Sequence, residues 1–306
     1  GKYGVNIWVP EKNYPVDDFD YWWSHENRRS FYEAGETKDI HTTRYMGMKA
    51  VEFINRYKDE PFCLSVSFLA VHGSLEESDP AYDDMFEDDT VPFPPNFGDT
   101  YYERLPDVYH ERAIFGRVNF ERRFQEFEEI QEFHRSRKRK IYGLDMAVGR
   151  ILHELEALGI EDETIVIFHG DNGYMMGEHG MNGKWMGYES SIRVPMIVYD
   201  PFLPEDLRGR RLDAIALNID IAPTLLDYAG ATSDPRVQGR SLKPLVRGEP
   251  GVSWRDDFFY EQRVDLRWTD NKETRGIIPP VEGVVGERYK YLIYYDTGGD
   301  EELYDT

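Results

Sequence analysis

Cysteine is all but absent from this 306-residue chain: Cys63 stands alone, which excludes an internal disulfide and a thiolate zinc cluster. No apolar run approaches 18 residues, so no segment reads as a membrane-spanning helix. Positive charge is also short. Against 58 Asp and Glu there are 36 Lys and Arg, a formal net charge of -22. Such a field repels polyphosphate backbones and anionic lipid, and argues against nucleic acid as a partner. The acidity serves solubility; an anionic substrate would have to be captured by a few local cations working against it. An initiator Met is missing too. The chain opens Gly1-Lys2-Tyr3 and reads there as the interior of a fold, so the absence of a visible targeting segment says nothing about compartment.

What remains is the composition of a folded protein, 40% hydrophobic and 14% aromatic, long enough for one large domain or one large and one small. "PFCLSVSFLA" (61–70) is a continuous apolar run entered through the helical pattern "TTRYMGMKAVEFINRYKD". "ETIVIFHG" (163–170) is a second such run. It follows "KIYGLDMAVGRILHELEALGI", where Leu144, Val148, Ile151, Leu152 and Leu155 fall at helical spacing and Gly159 supplies a C-terminal stop. "RVPMIVYDP" (193–201) is a third, and "NIDIAPTLLDYAGA" (218–231) reads as an amphipathic helix. Strands alternating with helices predict an α/β fold with a mainly parallel, mixed central sheet flanked by helices. After about residue 250 short aromatic β segments predict a small antiparallel subdomain. Between 74 and 140 an acidic, Pro-rich and aromatic stretch gives way to a densely charged one, which reads as a surface insertion followed by a solvated helix.

The chemistry gathers in "FHGDNGYMMGEHGMNGKWMGYESSIRVP" (168–195). Ligands of open α/β sheets collect beyond the carboxyl ends of strands, and Asp171 and Asn172 stand just past 164–168. A carboxylate and an amide oxygen are hard donors, suited to calcium or magnesium and poorly suited to zinc. Gly170 and Gly173 let the backbone turn sharply. The same tetrapeptide is also a common surface turn, and both readings stand at this point. Lys184, between Gly183 and Trp185, offers a point charge for an anionic oxygen. His179 could donate to a leaving group or brace the loop. His72 follows the run 61–70 directly, which puts it at the same sheet edge if the strands are parallel. Lys2 is a further cation near the start.

These residues resemble the formylglycine-dependent sulfatases of the alkaline phosphatase superfamily. "GKYGVN" is similar to the second sulfatase signature, "DDFDYWW" to the segment after it, and "PFCLSVSFLAVHG" to the strand ending in the substrate histidine. The block 142–201 resembles the metal-and-lysine segment closely, and "VQGRSLKPLVRG" and "VEGVVGERYKYLIYYD…EELYD" follow in the family's order. The resemblance implies hydrolysis of a sulfate ester, on a sulfated small molecule or glycan, at a calcium site, with magnesium the lesser candidate. A formylglycine hydrate attacks sulfur, the alcohol leaves, and sulfate is expelled. Asp171 and Asn172 would ligate the metal, Lys184 and His72 would bind the sulfate and help the leaving oxygen depart, and Lys2 would neutralise charge around the nucleophile. A periplasmic or secreted location is implied as well. Residues 1–250 would form an incomplete α/β domain and 251–306 a truncated C-terminal subdomain, with Arg263, Arg267 and Trp268 shaping the leaving-group end.

Two departures qualify the match. Gly4 stands where the signature often carries histidine. No Cys/Ser-x-Pro-x-Arg motif is present: Cys63 is followed by Leu-Ser-Val, and in Ser233-Asp-Pro235-Arg236 the arginine comes one position early. The nucleophile is therefore expected from a preceding segment of the same enzyme, and the chain by itself is expected to be inactive. Two alternatives accompany this reading: a phosphodiesterase or phosphonate monoester hydrolase of the same superfamily, and a non-catalytic homologue that binds sulfated glycan.

Overall fold

The computed structural model describes residues 16–23, 40–72, 78–111, 113–263, 276–295 and 298–305. In chain order these form helices α1 (Thr42–Tyr57), α2 (Asp99–Tyr102), α3 (Phe115–Arg123), α4 (Phe127–Leu158), α5 (Glu189–Ile192), α6 (Ile221–Tyr228) and α7 (Lys243–Val246). The strands are β1 (Val166–His169), β2 (Met175–Met176), β3 (Asn182–Gly183), β4 (Met196–Tyr199), β5 (Asp257–Gln262), β6 (Val281–Gly286), β7 (Tyr289–Tyr294) and β8 (Asp300–Asp305). The fold is thus mixed α/β with an antiparallel C-terminal sheet. The chain divides into two compact units, Gly1–Val91 with Glu126–Thr164, and Pro92–Gln125 with Ile165–Thr306.

In the first unit α1 and α4 pack face to face. His41 caps α1, its Nδ1 accepting from Thr43 N–H at 3.3 Å. Gly47 lets the backbones close up: a Cβ there would stand 3.2 Å from Ala147 Cβ. Helix α4 ends at Gly159, which takes the left-handed cap (φ 66°) that its position predicts. Of the expected apolar stripe, Leu155 is buried but Leu152 is 43% exposed.

The charged first half of α4 overturns the reading of a solvated helix. Phe133, Arg135, Arg137, Arg139 and Lys140 are all buried, because the charges find partners at helical spacing and from residues 85–91. Arg135 pairs with Glu132 at 3.1 Å and with Glu128. Arg139 donates to Glu132 at 2.7 Å and to Met85 O at 3.0 Å. Gln131 bonds both backbone groups of Val91, at 2.7 and 3.0 Å. A run of charges so paired can be covered.

Residues 61–70 differ from the expected buried strand. They alternate between exposed and half-buried up to Leu69, and among the described residues none pairs with them in a ladder. A strand owes its regular form to a hydrogen-bonding neighbour, and apolar content alone does not supply one.

In the second unit β1 pairs with β4 in antiparallel register, Val166 opposite Tyr199 and His169 opposite Met196. The described pairing in the central sheet is therefore not the parallel one expected. A parallel pair needs a long crossover, usually helical; here the connection carries only the short hairpin β2–β3 and the single turn α5. The C-terminal sheet is antiparallel as predicted, in the order β5-β6-β7-β8. Its inner face shares one core with residues 105–114 and 175–188: Val108, Tyr109, Ile114, Met175, Met181 and Leu292 are wholly inaccessible. Residues 92–125 thus supply core rather than surface insertion, and residue 250 marks no break in packing. A second cluster joins Leu203, Leu242 and Val246 with Trp254. Nearby, buried Asp200 accepts from Tyr228 Oη at 2.9 Å and Arg247 Nε at 3.1 Å.

Candidate active site

Strand β1 delivers the chain to Gly170-Asp171-Asn172-Gly173, and the turn is closed locally. Asp171 Oδ1 accepts from Asn172 N–H at 2.9 Å, and Asn172 Nδ2 donates to Gly173 O at 2.7 Å. Gly173 is there for proximity: its N–H donates to Ser191 O at 2.9 Å, and a Cβ would stand 2.3 Å from Ser190 O and 2.9 Å from Arg193 O. Because those obstacles are backbone, Gly173→Ala should destabilise the protein by about 1–3 kcal/mol, read as a lowered midpoint in urea. An unshifted midpoint would mean the turn has room that the geometry denies. Asn218 adds a brace, its Nδ2 donating to Asp171 O at 3.0 Å.

Lys184 reaches this turn from the opposite arm of the loop. Its Nζ lies 3.1 Å from Asn172 Oδ1 and 5.2 Å from the centre of the Trp185 ring. The flanking backbone is unusual: Gly183 has φ 151° and Trp185 φ 75°, the latter a region bulky L residues rarely enter. Such outliers persist where the surroundings over-determine them, and here Phe115 packs on the Trp185 ring at 5.4 Å. An open cleft of about 500 Å³, lined by Glu189, Ser190, Arg193, Val194 and Pro195, adjoins the turn through Gly170.

Asp171, Asn172 and Lys184 thus come together. His179 packs within the loop. Its ring lies on Tyr188 (4.7 Å, 23°), and its N–H donates to Asn96 O at 2.8 Å. Burial holds the imidazole below its ordinary pKa against the opposing pull of Glu178. His72 stands in the other unit, exposed, its N–H bonded to Leu69 O at 2.9 Å. Lys2, Gly4, Arg267 and Trp268 lie outside the described residues. Arg263 is 68% exposed and pairs with Glu261 at 3.0 Å and Glu282 at 2.7 Å.

Calcium takes six to eight oxygens, and the donor chemistry of the turn fits it: one carboxylate and one carboxamide oxygen, both exposed. Among the described residues no three His, Cys, Asp or Glu side chains converge into a fuller shell. Asn218 escapes notice in the sequence because it lies 47 positions from the group it supports.

A mixed α/β fold with oxygen donors and a lysine just past a strand suits more than one chemistry, and similarity to known proteins supplies the family. The Sulfatase family profile matches residues 1–231, and N-sulphoglucosamine sulphohydrolase, C-terminal, matches residues 177–306. The chain belongs to the sulfatase family. It is similar to the N-acetylglucosamine-6-O-sulfatase of Bacteroides thetaiotaomicron, 25% identical over 94% of this chain and 58% of that protein. It is also similar to an arylsulfatase of Clostridium perfringens, 32% identical over 72% of this chain and 45% of that protein. The chain spans about half the length of these curated relatives. The phosphonate monoester hydrolase of Agrobacterium radiobacter shares the fold, with a TM-score of 0.71 and 24% identity over 90% of this chain and 56% of that one.

Proposed function

We propose that this chain serves the hydrolysis of a sulfate ester on a sugar or glycan, with calcium held by Asp171 and Asn172 and the sulfate group held by Lys184. One observation carries the reading: Lys184 Nζ lies 3.1 Å from Asn172 Oδ1, so a cation and hard oxygen donors share one spot. Bound calcium would supply positive charge against the sulfate oxygens. Lys184 would hold a further oxygen and stabilise the charge that grows on the leaving alcohol as the S–O bond breaks. His72 and Lys2 join the cation set in this reading, and the formylglycine nucleophile comes from residues outside this sequence. The sugar follows from the similarity to an N-acetylglucosamine-6-O-sulfatase. A periplasmic or extracellular setting belongs to the same proposal; among the described residues no helix is long and apolar enough to cross a membrane.

The test is an assay of the intact parent protein on 4-nitrocatechol sulfate and 6-sulfated N-acetylglucosamine, beside phosphate monoesters, phosphate diesters and phosphonate monoesters. Calcium-dependent sulfate release is expected, with sulfate esters favoured at least about tenfold in kcat/KM. Preference for a phosphonate or phosphate would move the protein to the chemistry of its structural neighbour. Binding of the sulfated sugar without release would make it a glycan-binding homologue. Either result overturns the proposal.

A further inference from the structure

The arm that carries Lys184 is poorly held by its own hairpin. Strands β2 and β3 are two residues each, and positive φ angles flank the lysine at Gly183 and Trp185. Firmer support comes from the C-terminal sheet. Tyr188, almost fully buried, donates its hydroxyl to both carboxylate oxygens of Glu302 on β8, at 3.0 and 3.1 Å. Glu302 also accepts from Tyr294 Oη at 2.5 Å and from the Tyr304 hydroxyl. Lys290 on β7, itself buried, donates to Gly187 O at 3.0 Å and pairs with Glu189 at 2.5 Å. The register accounts for the convergence, since Lys290 faces Tyr304 and Leu292 faces Glu302 across β7 and β8.

Packing alone would need only apolar contacts here. Three phenol hydroxyls aimed at one buried carboxyl group are directional; burial pushes the Glu302 pKa up, and the three phenols and Lys290 pull against it. Burial raises the pKa of Tyr188 and Tyr294 well above the ordinary phenol value, so both remain donors at any working pH. A tie of this kind fixes where Tyr188 sits, and the chain runs from Lys184 to Tyr188 in little more than one turn's worth of residues.

We propose that Glu302 and Tyr188 are positioning residues: through the run 184–188 they set the Lys184 ammonium at Asn172 Oδ1. The inference rests on the reading that Lys184 holds the anion. It separates two ligands, because the Asp171–Asn172 turn has a brace of its own in Asn218, beside the Ser191 O bond that comes from the helix Tyr188 opens.

The experiment titrates inorganic sulfate and, separately, calcium into the protein by calorimetry, using Tyr188→Phe, Glu302→Gln and Glu302→Ala. Leu303→Ser serves as control, since Leu303 lies on β8 and is 71% exposed. Tyr188→Phe removes only the hydroxyl, and near-UV circular dichroism checks that it folds. Sulfate affinity is expected to fall about tenfold, the scale on which small misplacements act, with calcium affinity not reduced, since an ammonium displaced from Asn172 Oδ1 no longer competes with a cation for that oxygen. Glu302→Gln, which keeps one acceptor, should recover part of what Glu302→Ala loses, and Leu303→Ser should match the wild type. Equal loss of sulfate and calcium, or an equal effect of Leu303→Ser, would reduce the contact to ordinary packing and overturn the inference. Sulfate binding that survives in Tyr188→Phe overturns it alone. Failure of the wild type to bind sulfate overturns the site reading and the inference with it.

Discussion

Replacing Lys184 by methionine should lower kcat/KM of the intact parent for a sulfate ester by about a hundred- to a thousandfold, the usual loss when one preorganised stabiliser of transition-state charge is removed. Methionine keeps much of the stem that lies along Trp185 and deletes the charge 3.1 Å from Asn172 Oδ1. The chain's net charge of -22 makes the loss harder to offset, since the surrounding field opposes an anion. Thermal stability should barely move, because Lys184 is only half-buried and its removal opens no core cavity. Lys184→Arg should restore little: a planar fork cannot occupy the place of a compact ammonium between Asn172 and the indole. Retention of kcat/KM within about threefold by Lys184→Met would remove the anion from this loop.

The largest effect on stability is expected at Asp220. Its carboxylate is wholly buried and accepts from Leu217 N–H, Arg240 N–H and Arg255 Nη2, each at 2.8 Å, and also from Arg255 Nη1. Asp220→Ala strands a guanidinium whose side chain is 10% exposed and leaves two backbone donors unmet. Breaking a buried pair from one side costs about 3–5 kcal/mol, which urea denaturation of the purified variant would report directly. Asp220→Asn keeps one acceptor oxygen and should fall between. The effect reaches the site, because the 217–220 turn carries Asn218, whose amide braces Asp171 O at 3.0 Å. The folded fraction of Asp220→Ala should therefore bind calcium more weakly than the wild type. A loss below about 1 kcal/mol would show that the pair is dispensable.

Local signals were readable in the sequence; distant partners were not. Helix α1, the stop of α4 at Gly159 and the antiparallel C-terminal strands each follow from periodicity or turn chemistry within a short window. So does the gathering of Asp171, Asn172 and Lys184 in one loop, since glycines and odd polar residues past an apolar run mark a candidate site. Other features depend on what the chain meets later. The charged half of α4 reads as solvated because the partners it gains from outside the helix, Asp89 for Lys138 and Met85 O for Arg139, lie some fifty residues away in the sequence. The run 61–70 looked like a buried strand because apolar content does not reveal whether a ladder partner is present. His179 was ambiguous for the same reason, its stacking on Tyr188 being invisible in Gly-Glu-His-Gly.

Tyr188 meets its carboxylate 114 residues downstream, and this has a consequence for biosynthesis. A chain emerging N-terminus first has made Asp171, Asn172 and Lys184 long before β8 exists, and contacts of such separation close late because the intervening loop must first be ordered. Until then the lysine arm rests on two-residue strands and on Trp185 packed against Phe115. On the proposed reading of Lys184, nascent molecules without β8 would hold the turn's oxygens in place with the ammonium less firmly set, so the grip on an anion would be timed by β8 as well as by the loop that bears it.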